Sequence, residues 1–505
     1  MLRRKTGKGV FVALLAAAFL LAACGKHAQS DGDAQPGADV QPGEGAQPGE
    51  GAQPQTEPDT DEENQNEEAG GQRYQPEWTK DAVIYEVNVR QYTEEGTFAA
   101  FSEHLQELKD MGVNTLWFMP IHPISLTNRS GVLGSYYSIT DYREINPEFG
   151  TKEDFKALVE QAHDMGFHVM LDWVANHTGW DCAWIEEHPE WYTKDAEGNI
   201  ISPAGMGWPD VADLNFDNED MRAEMISCMK YWVEEFDVDG FRCDYANGVP
   251  TDFWETARAE LETIKPMYML AEDDKTIKLL YSAFDFNYNL NLYSTLIAVA
   301  RDTKNASVIK LYIPENYPDG TYTMNFLDNH DKNSYEHTIM EAFGADTIPA
   351  MFSLIYTIPG VPMVYTGDEI GLDHNIAFME KDTVDWDSTG ISYRELLKEL
   401  AGIRSGNPAL YSGNYGGAIS YYDLDNKSIF AFCREQDGNV VTCLFNLSKR
   451  EQTINVDGVF DGTETVLLYG QGAEVLKMED YPIAEDHLEG EITLQPWEFW
   501  IVVNE

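Results

Sequence analysis

The sequence predicts an α/β fold: a (β/α)8 TIM barrel with a short excursion after its third strand, followed by a C-terminal all-β sandwich domain. Three observations predict it. From Tyr74 to about residue 408, short apolar runs alternate with longer amphipathic stretches, the pattern of βα repetition around a parallel sheet. Those runs number eight, as a closed barrel requires. After about residue 409 the spacing changes to short strands separated by turns, which marks a separate small sandwich.

In chain order, residues 1–23 read as an export signal. Arg3, Arg4, Lys5 and Lys8 precede an apolar stretch from Val10 to Ala22, too short to cross a bilayer comfortably. The stretch ends in Leu21-Ala22-Ala23-Cys24-Gly25, which resembles the lipobox of bacterial lipoproteins. That resemblance implies lipidation of Cys24 and an extracytoplasmic protein anchored to the cell envelope. Over residues 24–73 the composition collapses to Gln, Pro, Gly, Ala, Asp and Glu, with near-repeats such as Ala34-Gln35-Pro36-Gly37 and Ala46-Gln47-Pro48-Gly49. Nothing there forms a core, so an acidic disordered tether is expected, spanning on the order of 40 Å.

The barrel, residues 74–408, is expected to take its strands from Val83–Val89, Thr115–Met119, His168–Trp173, Gly240–Asp244, Met267–Ala271, Ala283–Phe286, Thr323–Leu327 and Pro362–Tyr365. Helical periodicity marks Phe98–Met111, Lys152–Met165, Met221–Glu235 and Thr251–Ile264. Met225, Met229, Trp232 and Phe236 share one helical face, which predicts packing on the barrel. The excursion runs from about Asn176 to Asp217 and holds Trp180, Trp184, Trp191 and Trp208. Sugar stacking and packing of the excursion both account for these rings. In residues 409–505, strands are expected at Ile429–Cys433, Val440–Phe445, Val466–Leu468, Ile492–Leu494 and Trp497–Val503.

The chain carries 34 Lys plus Arg against 87 Asp plus Glu, a net charge of −53. Such a field repels nucleic acid and offers anionic membranes no basic patch, leaving the lipid anchor as the expected membrane contact. An uncharged sugar is indifferent to it. Beyond Cys24 five cysteines remain, at positions 182, 228, 243, 433 and 443, an odd number that argues against a complete disulfide framework. None has the paired spacing of a zinc site. Cys433 and Cys443 flank an Asp437-Gly438 turn, so a cross-strand bridge is conceivable, although buried thiols suit their apolar surroundings better.

Chemistry collects at four strand ends: Asp172-Trp173-Val174-Ala175-Asn176-His177, Gly240-Phe241-Arg242-Cys243-Asp244, Ala271-Glu272, and Phe326-Leu327-Asp328-Asn329-His330-Asp331. In a barrel these ends converge on one face, where active sites lie. Several carboxylates facing one cavity raise one another's pKa, which is how one carboxyl stays protonated while another attacks. Arg242 lies two residues before Asp244, on the same strand face, and can hold that carboxylate ionised.

These clusters, in this order, resemble the sequence regions of the α-amylase family of glycoside hydrolases. The likeness extends to Tyr137 in Tyr137-Ser138-Ile139-Thr140-Asp141-Tyr142, to Asn146-Pro147-Glu148-Phe149-Gly150-Thr151, and to Pro359-Gly360-Val361-Pro362 with Tyr365, Gly367 and Glu369. The resemblance implies a retaining hydrolase of α-glucosidic bonds, mainly α-1,4, in maltooligosaccharides and starch-derived glucans. It implies Asp244 as nucleophile, Glu272 as general acid/base and Asp331 as the third carboxylate. Tyr137, Asp172, His177, Arg242 and His330 are its implied substrate-binding residues. A glycosyl transferase of the same fold and a catalytically silent glycan-binding lipoprotein are the alternatives, the latter opposed by the intact carboxylate triad.

The sequence departs from the family after the nucleophile, where Tyr245-Ala246-Asn247-Gly248-Val249-Pro250 stands in place of the usual Lys-His continuation. A sugar contact on the leaving-group side and a calcium-associated backbone environment go with it. Asn176 and Asp213 still resemble two calcium ligands, but two donors fall short of a complete site. The expectation is therefore chemistry that needs no cofactor, with a structural Ca2+ at this pair as the alternative.

Overall fold

The computed structural model describes residues 75–460, 464–472, 474–477 and 489–504. The expected export signal, Cys24 and the tether lie outside the described residues. Among the described residues, no helix is long and apolar enough to cross a membrane.

Eight parallel strands close a barrel: β1 (Ile84–Val87), β2 (Thr115–Phe118), β3 (His168–Trp173), β4 (Gly240–Cys243), β5 (Tyr268–Ala271), β6 (Phe286–Tyr288), β7 (Tyr322–Phe326) and β8 (Val361–Tyr365). Of all their residues only His168 is not buried, which is why the runs are almost continuously apolar. The sixth strand starts later than Ala283. A short helix, Leu279–Ser282, is still turning there, and the N–H groups of Ala283 and Phe284 donate to the Leu279 carbonyl at 3.2 and 3.0 Å. The first ladder bond onto β5 comes at Asp285, whose N–H donates to the Met269 carbonyl at 2.9 Å.

The helices follow the periodicity with one break. The helix from Glu219 to Phe236 begins under an Asn218 cap and ends at Asp237, with Met225, Met229, Trp232 and Phe236 buried as their spacing predicts. The expected helix Phe98–Met111 is two, Phe98–Ser102 and Leu105–Asp110, joined by tight three-residue bonds at Glu103 and His104. Phe98, Phe101, Leu105 and Leu108 stay buried across the break, so the apolar spacing does not reveal it.

The excursion after β3 is anchored by a small antiparallel ribbon, His177–Gly179 against Val211–Asp213. Trp184 stacks on Tyr142 at 5.3 Å and meets Trp191 edge-on at 5.2 Å, so both serve its packing.

Among the described residues, eight more strands follow the barrel: β9 (Ala418–Tyr421), β10 (Ile429–Gln436), β11 (Asn439–Asn446), β12 (Gln452–Asn455), β13 (Glu464–Gln471), β14 (Glu474–Lys477), β15 (Glu491–Leu494) and β16 (Glu498–Asn504). They form a six-stranded antiparallel sheet, β9-β10-β11-β16-β13-β14, and a two-stranded ribbon, β12-β15. Phe432, Phe445, Phe499 and Ile501 on one face join the barrel's core, while Ala431, Leu444 and Val502 on the other pack with Ile454 and Leu494 of the ribbon. The sandwich is thus lopsided, its large sheet lying between the ribbon and the barrel. At the seam, buried Arg404 and Arg434 both donate to the Leu410 carbonyl, at 2.7 and 3.1 Å. Cys433 pairs with Thr442 and Cys443 with Phe432, placing the two thiols on opposite faces. All five described cysteines are free.

Candidate active site

Four strand ends build the site. Gly240 opens β4 because any Cβ there would come within 2.1 Å of the Tyr268 carbonyl on β5. That close approach aligns the ends of the two strands, and the Glu272 N–H donates to the Cys243 carbonyl at 3.0 Å. Asp244 is tied the other way, its N–H donating to Trp173 at the end of β3 at 2.9 Å. After β7, the Asn329 side chain caps a short helix, His330–Tyr335, and fixes His330 and Asp331 at its start.

Arg242 is the hub. One guanidinium nitrogen lies 2.9 Å from Asp172 Oδ1 and 3.1 Å from Asp244 Oδ1, and the other lies 2.9 Å from Glu272 Oε1. Its Nε donates to the Tyr288 hydroxyl at 3.2 Å. A second chain of contacts runs through His330. The Tyr137 hydroxyl donates to Asp172 Oδ2 at 3.0 Å and meets His330 Nε2 at 2.9 Å, while His330 Nδ1 bonds Glu86. Asp331 stands 3.6 Å from His330 and is 45% exposed, so it is the carboxylate that opens to solvent.

Burial opposes charge on His330, but the Asp331 and Glu86 carboxylates outweigh it and push the imidazole up to about 9. A doubly protonated ring then donates from both nitrogens, to Tyr137 and to Glu86. His177 differs: burial alone pulls it down to about 4, so it is neutral at physiological pH. Burial raises Asp172 to about 6 against the pull of Arg242 and His330. Burial, then the Glu272 charge, drives Asp244 well above the usual carboxylate range, with Arg242 opposing. Asp244 and Glu272 share that one guanidinium.

One feature differs from the sequence reading. Asp172 has no exposed side-chain surface, so it cannot touch a sugar. Its carboxylate accepts from Arg242, Tyr137 and the Trp117 indole instead, and it acts as a positioning residue. Glu272 is held at both oxygens, Oε1 by Arg242 at 2.9 Å and Oε2 by the Tyr245 N–H at 2.7 Å.

Glu86, Tyr288 and Trp117 were not singled out from sequence. Glu86 had a visible signal, a lone acid inside the apolar run Ile84-Tyr85-Glu86-Val87. The two aromatics look like ordinary core. Asn176 and Asp213 lie on adjacent segments, the Leu214 N–H donating to the Asn176 carbonyl at 3.1 Å. Among the described residues, no three or more His, Cys, Asp or Glu side chains are grouped to hold a metal. Calcium takes six to eight oxygens, of which the side chains of this pair would supply two. A cavity of about 550 Å³ lies elsewhere, on the outer face of the helix Glu219–Phe236. Its Arg143, Arg222 and Lys230 are each already paired with an acid.

The carboxylates predicted as nucleophile and acid thus stand on two adjacent strand ends, gripped by one arginine. Comparison with known proteins specifies the class. The profile of the alpha-amylase catalytic domain matches residues 53–199 and 206–399. The chain belongs to the alpha-amylase family of glycosidases, which hydrolyse O-glycosyl bonds. It is 27% identical to an alpha-amylase of Haloarcula japonica over 77% of its length, spanning 59% of that protein. It is likewise 27% identical to a maltogenic alpha-amylase of Bacillus acidopullulyticus, covering 81% of this chain and 78% of the other. The crystal structure of an alpha-amylase from Lactobacillus plantarum aligns with a TM-score of 0.71 at 29% identity, covering 84% of this chain and 98% of that one.

Proposed function

We propose that the protein is a retaining glycosidase cleaving α-glucosidic, mainly α-1,4, bonds in maltooligosaccharides and starch-derived glucans. The observation that carries this is the single Arg242 guanidinium contacting both Asp244 and Glu272. Two carboxyls bridged by one planar cation suit the short spacing of retaining enzymes, about 5–5.5 Å, better than the wider inverting one.

In this mechanism Asp244 attacks the anomeric carbon while Glu272, as general acid, gives a proton to the glycosidic oxygen. The C–O bond to the leaving sugar breaks as the bond to Asp244 forms, giving a glycosyl ester. Glu272, now a base, takes a proton from water, whose oxygen displaces Asp244 with the configuration restored. Arg242 and His330 supply two positive charges against the carboxyls of Glu86, Asp172, Asp244, Glu272 and Asp331. That acidic balance stabilises the positive charge that develops on the sugar ring.

The test is the anomeric form of the first product, read by proton NMR during cleavage of maltoheptaose. The α anomer is expected; a β anomer would overturn the assignment of Asp244. Relative kcat/KM on maltotetraose, soluble starch, pullulan, cellopentaose and sucrose tests the substrate. Preference for sucrose or the β-glucan removes the α-glucan reading, and preference for pullulan changes only the linkage.

We also propose that Cys24 is lipidated and holds the enzyme on the outer side of the cell envelope, a reading supported by the charged, apolar and small-residue order before it. Cys24→Ala should release the enzyme from membranes and abolish labelling by a fatty-acid analogue. Equal labelling of both forms would remove the anchor.

A further inference from the structure

Arg242 binds more than three carboxylates. Its Nε–H is given to the hydroxyl oxygen of Tyr288, the last residue of β6, at 3.2 Å. Tyr288 is 1% exposed and held on several sides. Its own N–H donates to the carbonyl of Asp273, one residue beyond Glu272, at 3.1 Å. The next N–H, of Asn289, donates to Met324 on β7 at 3.1 Å. The Tyr288 ring meets Phe326 edge-on at 5.6 Å and Trp117 at 6.4 Å. Burial raises the phenol well above its ordinary range, with Arg242 opposing, so the oxygen is a neutral acceptor.

A guanidinium is planar and carries its N–H groups in a fixed fork, so the direction of the Nε–H sets where both terminal nitrogens point. Asp172, Asp244 and Glu272 all lie within 3.1 Å of those terminal nitrogens. Without an acceptor at Nε, a buried N–H would be left unpaired. Turning the fork to offer that N–H to a carboxylate would relieve it, and would withdraw a terminal nitrogen from Asp244 or Glu272. A neutral oxygen at Nε removes that choice without adding a further negative charge.

We infer that Tyr288 is a positioning residue for the reaction, its hydroxyl oxygen fixing the plane of Arg242 so that one terminal nitrogen serves Asp244 and the other Glu272. This rests on the retaining reading above, which gives those two carboxyls their roles. Asp244 must be ionised to attack. It faces Arg242 on its own strand, Glu272 after β5, Asp172 on β3 and Asp331 after β7. Of these groups Arg242 alone is cationic, so its placement governs the pH at which the nucleophile becomes available.

The experiment measures kcat/KM across pH on maltotetraose and on α-maltosyl fluoride. Tyr288→Phe keeps the ring and removes the oxygen. Its kcat/KM on maltotetraose is expected to fall about tenfold, the size of one hydrogen bond to a charged group. On both substrates the acid limb, set by ionisation of Asp244, should move up by about half a pH unit. Tyr288→Leu should show the same limb shift with a lower Tm, because it loses the ring packing as well. A shift in the leucine variant alone would assign the hold to packing and overturn the proposal. Limbs that coincide with wild type in both variants would also overturn it. Thermal melts give a readout that needs no turnover. Ionising Asp244 opposes folding, so its contribution is favourable at low pH and is lost as pH rises through the raised folded-state value. Loosening Arg242 enlarges that loss, and the Tm deficit of Tyr288→Phe should grow from low to neutral pH. A constant deficit would overturn the proposal. Wild-type enzyme inactive on both substrates, with the growing deficit present, would instead strike the proposed reaction and leave the hold on Arg242 standing.

Discussion

On the floor of the cleft, the Arg242 and Asp172 side chains are 0% exposed, and each has several charged or hydrogen-bonding partners. Glu86 and His330 beside them are just as enclosed, at 0% and 2%. On the rim, Trp208 and Tyr245 are half-buried and held by ring contacts, a backbone N–H and a glycine. The floor places charges, where a small displacement changes every pKa in the network. The rim offers surface to a partner, where contact area matters more than atomic position. Substitutions on the floor should therefore act on chemistry and pH, and those on the rim on the choice of substrate.

The largest expected effect tests the floor. Asp244→Asn should lower kcat by about 10⁴ or more, since an amide forms no glycosyl ester. Stability should move the other way. The raised pKa means that ionising Asp244 opposes folding, so its contribution is favourable at low pH and is lost as pH rises. The amide removes that penalty, and the variant should melt higher than wild type at neutral pH. A variant both inactive and less stable would mean that the carboxylate is held without strain. Glu272→Gln should lower kcat/KM on maltotetraose by about 10²–10⁴ yet spare kcat/KM on α-maltosyl fluoride, whose first step needs little acid assistance, while its kcat falls because water is no longer activated in the second step.

A moderate effect is expected at Glu86. The His330 charge is supported by Glu86 on β1 and by Asp331 beside it, and opposed by Arg242 on β4. Asp172 on β3 also interacts with it. Because the folded-state pKa is raised to about 9, this pairing stabilises the protein fully below about 6.5 and fades as pH rises through 9. Glu86→Gln removes one supporting charge. The fall in Tm on the alkaline side should begin at lower pH in the variant, and the alkaline limb of kcat/KM should shift with it. Coincident profiles would show that Asp331 alone sustains the imidazolium.

The floor was also the more legible region. Asp172, Arg242, Asp244, Glu272, His330 and Asp331 lie at strand ends, and strand periodicity with barrel closure is enough to bring them together. The role of Asp172 was not legible, because its burial is set by Tyr137 and Trp117 from another part of the chain. Glu86 was readable as an acid inside a buried strand, but its partner lies 244 residues away. The register of β6 was missed because Ala283 and Phe284 are as apolar at a helix end as in a strand. The rim was scarcely legible. Tyr245 and Gly248 looked like absences, a lysine and a histidine that were not there. Their positive content, a ring occupying the space a side chain would fill, depends on a backbone angle that no residue pattern announces.

The smallest expected effect concerns that angle. Tyr245→Ala and Tyr245→Gly both remove the ring, so their difference isolates the backbone. Elsewhere, replacing alanine by glycine destabilises a fold through chain entropy. At φ 43° the order should reverse, because alanine retains a left-handed cost of about 1 kcal/mol that glycine does not have. Urea denaturation should then find the glycine variant more stable by about that amount, a Tm difference of roughly 1–2 °C. The kinetic consequence separates hold from strain. If the Glu272 contact fixes the backbone by itself, the two variants should turn over α-maltosyl fluoride alike. If the ring also contributes, the freer glycine backbone should let the N–H drift from Glu272, and the glycine variant should be the slower of the two. An alanine variant at least as stable as the glycine one would show that the rim holds Tyr245 without strain, and the contrast with the floor would then rest on exposure alone.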